Sequence, residues 1–471
     1  MAIFIKTRFA PSPTGNMHLG NCRTALLNWL LAKSKNSVFL LRIEDTDLKR
    51  SSSAYIDQIL TDLTWLGIIW DEGPNTFGKF GPYFQSKRQA IYQQYYDHLL
   101  EQKQAYCCFC SETELAQKRR LQLAAGKPPR YAGTCRRLTA AQIQEKIDQG
   151  MKYTLRFRIP EGITTFDDLV RGPQTFKNDT IGDFIIRRAN GTPSFMFCSS
   201  IDDALMGVTH ILRGEDHLTN TPRQIMILNT LKLSVPHYGH INLIVGPDGS
   251  PLSKRHGSQS IDSLRKQGYL PEAIMNYLAR LGHYYKDDAF MTPNTLIEQF
   301  NLDNLSKSPS KFDIQQLNYW QKEAVQTLPL DEILKWLGDS ITSVVPPIVQ
   351  TDFLTTIVPN IHFPHDAAQW ARIIFKEQPL EYEQNPFALL DPSMHMPVID
   401  GLTQAVNHDK DIILTLKQQL KLQGKTLFQP IRLIFTGKLS GPQLKPLLRL
   451  IPKAIKLKRI EQVKANYAKD L

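Results

Sequence analysis

The chain has 471 residues, of which 42% are hydrophobic and 21% are charged. This composition is typical of a globular protein and excludes a mainly disordered or fibrous chain. Lysine and arginine exceed aspartate and glutamate by 56 − 45 = 11, which favours a polyanionic partner, with nucleic acid as the first candidate. At ~150 residues per domain, the length suggests about three domains.

The N-terminal sequence lacks the apolar core of a signal peptide, and no uncharged apolar run reaches the ~20 residues that a membrane span needs. Six cysteines are too few for a disulfide scaffold. Four of them fall within residues 107–135, which indicates a local metal or thiol site in a reducing compartment. We therefore expect a cytoplasmic protein that does not contact a membrane.

The first 45 residues predict a β–α–β unit. Its elements are a strand over Ile3–Phe9, a turn over Pro11–Gly15, a helix over His18–Lys33 and a second strand over Val38–Ile43. The second strand is almost continuously apolar, as in a parallel sheet covered on both faces. Because parallel sheets bind ligands beyond the carboxyl ends of their strands, we expect a site at the turn and the helix start.

Further along, Gln85–Gln104 has a helical pattern, and Phe184–Arg187 and Val208–Arg213 have strand patterns. These strands could extend the same sheet, which would make residues from about 85 to 190 an insertion. After Gly257 the pattern is almost wholly helical, with Pro346 and Pro347 as a possible joint.

The segment Pro11–Asn21 reads Pro-Ser-Pro-Thr-Gly-Asn-Met-His-Leu-Gly-Asn and opens the first helix. A helix N-terminus offers unpaired N–H groups to phosphate oxygens. His18 could add a donor, and Gly20 would let a flat base lie against the backbone. The common Gly-rich phosphate loops are absent. On these residues alone, an ordinary turn and helix start is the alternative.

The segment Leu252–Gly257 reads Leu-Ser-Lys-Arg-His-Gly, in a stretch rich in glycine and proline. Such a loop could close Lys254 and Arg255 over phosphates as negative charge develops in a transition state. The alternative is an exposed basic loop.

Together the two segments resemble the two signatures of class I aminoacyl-tRNA synthetases. Four further strings make the chain similar to bacterial glutamyl-tRNA synthetases: Thr7–Gly15, Arg42–Asp47, Gly81–Ser86 and Leu212–Gln224. The length and helical character of the remainder also fit, so the resemblance spans the whole chain.

The resemblance implies an α/β fold with a Rossmann-like class I catalytic domain over residues 1–85 and 190–245. An acceptor-binding domain would be inserted at 86–189. A stem-contact region with the Leu-Ser-Lys-Arg loop would follow at 246–325, and a mainly helical anticodon-binding region at 326–471. The resemblance also implies a monomer that activates L-glutamate with ATP and transfers it to the 3′ end of tRNA.

Glutamate has two carboxylates and one ammonium, so its pocket needs two cationic groups and one anionic group. The resemblance assigns Arg8 and Arg213 to the carboxylates, Glu44 to the ammonium, and Ser12 to a hydrogen bond with substrate. As an alternative, Arg42 and Asp45 within the Arg42–Asp47 string could simply pair as a surface network.

For ATP, the resemblance assigns Thr14, His18, Gly20, Asn21, Lys254 and Arg255. His18 and Lys254 would stabilise charge on the phosphates as the catalytic pair, with Mg²⁺ carried by the nucleotide. Glu215 would contact the ribose or the acceptor end of tRNA, and Arg372 the anticodon.

Two positions depart from the pattern of the family within the catalytic region. Pro251 replaces a lysine, which predicts slower loop closure. Phe195 replaces a tyrosine near the amino acid, which removes a possible hydrogen bond to substrate worth about 1 kcal/mol.

A third departure concerns metal binding. Many relatives hold zinc through Cys-x-Cys and Cys-x-His, which here would place Cys108, Cys110 and Cys135 as ligands and Arg137 as the fourth residue. Because a protonated arginine does not ligate and structural zinc takes four ligands, the set is incomplete. Tyr131 or Cys107 could complete it, and a metal-free knuckle is the alternative.

Other functions remain open at this point. One is a variant that charges tRNA(Gln) with glutamate, and another is a weakened, tRNA-binding regulator. A tRNA-modifying paralogue would lack the C-terminal region of about 140 residues. A small-molecule nucleotidyltransferase would need neither that region nor Arg42–Asp47.

Overall fold

The computed structural model of the chain describes residues 4–47, 49–76, 78–250, 252 and 259–467. The chain divides into two units, the first formed by Met1–Lys266 with Ile274–Gln316 and the second by Gln267–Ala273 with Leu317–Leu471. Among the described helices, none combines the length and hydropathy that crossing a bilayer requires.

The strands are β1 (Lys6–Phe9), β2 (Val38–Leu41), β3 (Ala105–Cys108), β4 (Thr154–Phe157), β5 (Ile163–Asp168), β6 (Gly172–Lys177), β7 (Phe184–Arg187), β8 (His210–Gly214), β9 (His237–Ile241), β10 (Ile244–Val245) and β11 (Ser310–Lys311). The helices of the first three hundred residues are α1 (Leu19–Ser34), α2 (Ser53–Trp65), α3 (Gln89–Glu101), α4 (Glu112–Ala124), α5 (Ala140–Asp148), α6 (Asn178–Ile181), α7 (Phe195–Leu205), α8 (Thr221–Thr230), α9 (Ile261–Gln267), α10 (Pro271–Arg280) and α11 (Pro293–Gln299).

The later helices are α12 (Ile314–Thr327), α13 (Leu330–Leu337), α14 (Asp339–Thr342), α15 (Gln350–Ile357), α16 (Pro364–Phe375), α17 (His395–Asn407), α18 (Ile412–Leu420), α19 (Gly424–Thr436), α20 (Leu444–Leu450) and α21 (Lys453–Tyr467). Short 3-10 turns occur at Gln85–Lys87, Glu215–Asn220, Leu302–Asn304, Pro347–Val349, Val358–Asn360 and Pro392–Met394.

One end of the first unit is built from parallel strands. β1 pairs with β2, and β8 pairs with β9. The N–H of Thr209, just before β8, donates to the carbonyl of Lys6 in β1 at 2.8 Å. Helix α1 is buried around most of its circumference because it contacts β1, β8 and α11. The predicted β–α–β unit and the α/β class are confirmed, although Ile3 lies outside the described residues.

A second, antiparallel sheet has the strand order β3, β4, β7. The prediction that Phe184–Arg187 extends the parallel sheet is therefore wrong, since β7 pairs with β4. Periodicity identified the strand correctly but carries no information about its partner. The hairpin of β5 and β6 follows this sheet in the first unit.

The second unit is helical, from its segment of α10 to α21. In the part of the chain described after residue 259, the only strand is β11, which pairs in parallel with β10. The prediction of an almost wholly helical second half is confirmed.

Candidate active site

A cavity of about 460 Å³ lies where β1, β8 and β9 end and α1 begins. It brings together many of the residues predicted from sequence: Arg8, Ser12, Thr14, His18, Gly20, Asn21, Glu44, Phe195 and Arg213. Its position follows from parallel strands, whose carboxyl ends leave an open crevice that the next helix start borders.

His18 stands immediately before α1, with φ −104° and ψ 169°, and its side chain makes no capping hydrogen bond. Loss of hydration lowers the pKa of His18 below 6.5, so the imidazole is neutral at pH 7. A Cβ added to Gly20 would lie 3.3 Å from Cε1 and Nδ1 of this imidazole. A larger residue at position 20 would therefore crowd the His18 ring at the helix start.

The described residues on either side of positions 253–258 are paired with residues that line the cavity. The Leu252 N–H donates to the carbonyl of Ile244, a cavity residue, at 3.1 Å. Ser260 pairs with His18 in an antiparallel bridge. Pro251, Lys254 and Arg255 lie outside the described residues. Leu252 and Ser260 are thus each paired with a residue that lines the cavity.

A buried charge cluster forms the floor below Glu44. Arg42 is fully buried and donates to Asp203 Oδ1 at 2.7 Å and to Glu44 Oε1 at 2.9 Å. Arg8 donates to the same Asp203 from Nε at 3.3 Å and from Nη2 at 3.5 Å. Asp45 bonds instead to a serine N–H and hydroxyl. The alternative of a surface pair between Arg42 and Asp45 is therefore wrong, because tertiary packing buries Arg42 against other carboxylates.

Glu44 keeps part of its carboxylate for the cavity. Among the described residues, Oε1 accepts from Arg42, whereas no side chain donates to Oε2. Burial raises the pKa of Glu44, and the neighbouring Arg42 and Arg8 oppose that shift. The arrangement offers a carboxylate oxygen to a cationic ligand group.

Arg213 differs from Arg8 because no carboxylate in the described chain pairs with it. Its Nε donates to His240 Nε2 at 3.2 Å and its Nη2 to Thr221 Oγ1 at 2.6 Å, both neutral acceptors. Its Nη1 is buried and has no partner in the parts of the chain that the structure describes. Burial lowers the pKa of Arg213 to about 10, so it is still a cation at pH 7. Arg213 is thus a buried cation at the cavity that forms no ion pair within the described chain.

Phe195, the first residue of α7, faces a residue that sequence reasoning did not select. The Phe195 ring lies 5.3 Å from the His217 ring, and both line the cavity. Burial, followed by repulsion from Arg213, lowers the pKa of His217 to about 4. The signal for His217 was its place in the Leu212–Gln224 string.

Several other residues missed from sequence support the site through contacts. They are Asp168, Asp203, Asp216, Thr221, His240 and Asn242. Asp216 and Thr221 belong to the Leu212–Gln224 string, whereas Asp168 carried no signal.

Glu215 and Arg372 lie outside this cavity lining. Glu215 forms an ion pair with Arg171 and accepts from the N–H of Leu243 at 3.2 Å. Arg372 is exposed on α16, in the second unit, where it borders a cleft of about 390 Å³ together with Lys438.

The cysteine cluster gathers Cys108, Cys110 and Cys135, whose sulfur atoms all lie within 4.8 Å of one another. The hydroxyl of Tyr131 lies 3.3 Å from the sulfur of Cys108 and 3.7 Å from that of Cys110. Cys107 packs into a different hydrophobic cluster, on the opposite face of β3. Arg137 is exposed at the surface.

Comparison with known proteins places this architecture in a family. Residues 4–319 match the family described as tRNA synthetases class I (E and Q), catalytic domain. Residues 330–464 match an anticodon binding domain. The fold and site thus define a class I aminoacyl-tRNA synthetase.

Full-length relatives narrow the class. The chain is 53% identical over 451 residues to glutamate–tRNA ligase 2 of Coxiella burnetii (strain RSA 331 / Henzerling II), covering 95% of this chain and 97% of that protein. It is 50% identical to glutamate–tRNA ligase 2 of Nitrosococcus oceani, covering 95% of each. A crystal structure of a glutamate tRNA ligase from Elizabethkingia meningosepticum CCUG26117, in complex with its amino acid, superposes with TM-score 0.88 at 27% identity, covering 98% and 99% of the two chains. The chain belongs to the glutamate–tRNA ligase family.

This membership confirms the predicted resemblance, fold and enzyme class. It implies the use of ATP and usually Mg²⁺, with glutamate and tRNA as the other substrates. Charging of tRNA(Gln) and a weakened regulatory role are not favoured by these findings.

Proposed function

We propose that the glutamate–tRNA ligase reaction of this chain takes place in the cavity at the start of α1. L-glutamate and ATP first form glutamyl-adenylate and pyrophosphate, and the glutamyl group then passes to the 3′ end of tRNA(Glu) with release of AMP. The observation that carries this assignment is the cation of Arg213, which lines the cavity without a counter-ion and faces the same space as the Glu44 carboxylate.

Charge complementarity assigns the amino acid to these groups. Arg213 binds one substrate carboxylate, since an unpaired buried guanidinium gains most from an anionic partner. Arg8 binds the second carboxylate while Asp203 holds its guanidinium in place. Glu44 takes the ammonium, and Ser12 and Phe195 complete the wall.

The nucleotide would lie along the start of α1, against Thr14, His18, Gly20 and Asn21. An α-carboxylate oxygen of glutamate attacks the α-phosphorus of ATP, and the bond to the bridging oxygen breaks to release pyrophosphate. This displacement needs positioning and charge stabilisation but no protein nucleophile. His18 and Lys254 would act on the phosphates as catalytic residues, with Arg255 beside them, while Mg²⁺ would neutralise phosphate charge.

For tRNA, we propose that Glu215 contacts the acceptor end and Arg372 the anticodon. The cleft that borders Arg372 also contains Lys438, and a cationic surface suits a polyanion. The net charge of +11 supports the same partner. We further propose that the chain is a monomer in the cytoplasm.

The test is glutamate-dependent exchange of pyrophosphate into ATP, measured with the full chain and tRNA present. Replacing Arg213 with methionine should raise the KM for glutamate by at least about 100-fold, while the KM for ATP changes little. Ala124, exposed at the end of α4 and away from the cavity, offers a matched control as Ala124→Ser. Unchanged glutamate KM in Arg213→Met would overturn the assignment.

We also propose a structural zinc bound by Cys108, Cys110 and Cys135, with the Tyr131 hydroxyl oxygen as the fourth ligand. Zn–S bonds of about 2.3 Å in a tetrahedron place sulfur atoms about 3.8 Å apart. The sulfurs of Cys110 and Cys135 are separated by 3.7 Å. The Tyr131 oxygen lies 3.3 and 3.7 Å from two of the sulfurs, which suits a fourth ligand, and it also accepts the N–H of Cys135 at 2.9 Å.

Zinc content of the purified protein tests this site. About one zinc per chain is expected for the parent and for Cys107→Ser, because Cys107 faces another cluster. Cys110→Ser should lose the metal, and Tyr131→Phe should bind it more weakly in a chelator competition. Equal zinc retention in Tyr131→Phe would remove tyrosine from the ligand set.

A further inference from the structure

Behind Arg213 lies a chain of buried polar contacts. His240 in β9 and Asp168 at the end of β5 are both buried, and the His240 Nδ1 is hydrogen-bonded to Asp168 Oδ2. The Nε2 atom on the other side of the imidazole lies 3.2 Å from Arg213 Nε and 2.9 Å from Thr221 Oγ1. The two ring nitrogens therefore face an anion on one side and a cation on the other.

The hydrogen bonds that Asp168 accepts stabilise its ionised form. Its Oδ1 accepts three backbone hydrogen bonds, from Val170 at 2.9 Å, Arg171 at 2.8 Å and His240 at 3.1 Å. Although burial opposes it, hydrogen bonding from His240 and these N–H groups lowers the pKa of Asp168. A carboxylate in this state accepts only, so the proton in the Asp168–His240 hydrogen bond belongs to His240 Nδ1.

The Nε2 atom of His240 is then a lone-pair acceptor. Burial lowers the pKa of His240, so the ring is neutral at pH 7 and carries one proton. Phe166 and Tyr238 pack beside the imidazole, with ring centroids 6.4 Å away in each case. The imidazole is held on its flanks by apolar rings and at its edges by Asp168 and Arg213.

Arg213 needs such an acceptor. With Nε bound to His240 and Nη2 bound to Thr221, only Nη1 is without a partner in the described chain. If His240 carried its proton on Nε2 instead, Nε2 could donate to Thr221 but could no longer accept from the Arg213 N–H. The guanidinium would then turn away from the position that leaves Nη1 for a ligand.

We propose that Asp168 and His240 are positioning residues for glutamate binding: Asp168 selects the Nδ1–H tautomer of His240, and the resulting Nε2 acceptor holds Arg213 in the orientation that binds the substrate carboxylate. This inference rests on the proposed role of Arg213 in the cavity. Neither residue touches substrate, and both act through the guanidinium.

Asp168→Asn is the sharpest test because it preserves shape. The asparagine oxygen can keep the three backbone hydrogen bonds, so its NH₂ faces His240 and donates to Nδ1. That donation shifts the imidazole proton to Nε2, toward Arg213, as an aspartate-to-asparagine change does in a serine protease triad. In pyrophosphate exchange, we expect the KM for glutamate to rise about 10- to 100-fold, with the KM for ATP within about twofold of the parent.

Two variants of His240 separate positioning from packing. In His240→Gln, the side-chain oxygen can reach the place of Nε2 and accept from Arg213. In His240→Asn, the amide sits near Nδ1 and donates to Asp168, but no acceptor reaches Arg213. Positioning predicts that glutamine retains a lower glutamate KM than asparagine, whereas a packing role predicts parallel losses in the KM for glutamate and the KM for ATP.

The outcomes are distinguishable from failure of the active-site assignment. If Arg213→Met leaves the glutamate KM unchanged, the role of Arg213 falls, and this inference falls with it. If Arg213→Met loses glutamate but Asp168→Asn and His240→Asn keep the parent KM, only the positioning role is overturned. If Asp168→Asn does not fold, the ranking of His240→Gln against His240→Asn decides the question by itself.

Discussion

The buried charge of Arg213, which forms no ion pair in the described chain, predicts a stability cost in the ligand-free enzyme. Burial lowers the pKa of Arg213 from 12.5 to about 10. For a base, this means that the folded protein disfavours the charged form at every pH below about 10, and that the penalty fades as the pH rises from there toward 12.5. The full penalty is therefore present at pH 7.5.

The magnitude follows from 1.36 kcal/mol per pKa unit, which gives a penalty of about 3 kcal/mol. Arg213→Met removes the charge but keeps most of the apolar stem. It also loses two hydrogen bonds from a charged donor, to His240 and Thr221, worth at least about 1.5 kcal/mol each. The two terms nearly cancel, so the free energy of unfolding of Arg213→Met should stay within about 1 kcal/mol of the parent, or ~1–2 °C in melting temperature.

Calorimetry of the full chain at pH 7.5, with and without glutamate, measures both parts of this prediction. Without glutamate, Arg213→Met should melt within about 2 °C of the parent. With glutamate at 100 times its Kd, the parent should gain about 2.7 kcal/mol and the variant nothing.

Arg8→Met is the matched control, because Arg8 shares Asp203 with Arg42 and its loss leaves that carboxylate with fewer donors. It should lose glutamate stabilisation but melt below the parent in the absence of ligand. A ligand-free Arg213→Met that melts lower than Arg8→Met would refute the claim that Arg213 lacks compensation.

Three further predictions concern other residues. Lys254→Ala should slow adenylate formation by orders of magnitude in single-turnover assays while tRNA affinity in filter binding stays near that of the parent; normal activation rates would contradict the role given to Lys254. Gly20→Ala places a Cβ 3.3 Å from the His18 imidazole, so the KM for ATP should rise severalfold with the KM for glutamate unchanged, and an unchanged ATP KM would show that the ring is not displaced. Burial raises the pKa of Asp62 from 3.8 to about 6, and its Oδ2 has no partner among the described residues. The folded state thus favours the protonated acid, and the free energy of unfolding falls as the pH rises from about 4 to about 6. In urea unfolding at a series of pH values, Asp62→Asn should remove up to about 3 kcal/mol of that fall. Identical pH profiles for the parent and the variant would exclude this role of Asp62.

Local sequence determined the elements and motifs with good accuracy. The turn after β1 and the glycine in the first turn of α1 are encoded in adjacent residues, so the cavity wall from Arg8 to Asn21 was predictable. Glu44 was assigned through the family resemblance, and its place just beyond an apolar strand agrees with a site at the carboxyl ends of the strands. The extents of the domains over residues 1–85, 86–189, 190–245, 246–325 and 326–471 stay predictions.

The pairing of charges was decided by the tertiary structure alone. Arg42 meets Asp203 across 161 residues of sequence, and Arg8 meets it across 195. Tyr131 joins the cysteine cluster because the chain after α4 brings it back there, and β7 adds to β4 instead of the parallel sheet.

A sequence thus specifies the residue types and local geometry of this protein, since hydrophobic periodicity and turn chemistry act over a few residues. Which cation is neutralised and which is left for substrate depends on segments that meet only when the chain is packed. Coulomb energies and hydration change with those contacts. For that reason two residues of the same type differ: Arg8 is paired with Asp203, whereas Arg213 forms no ion pair in the described chain.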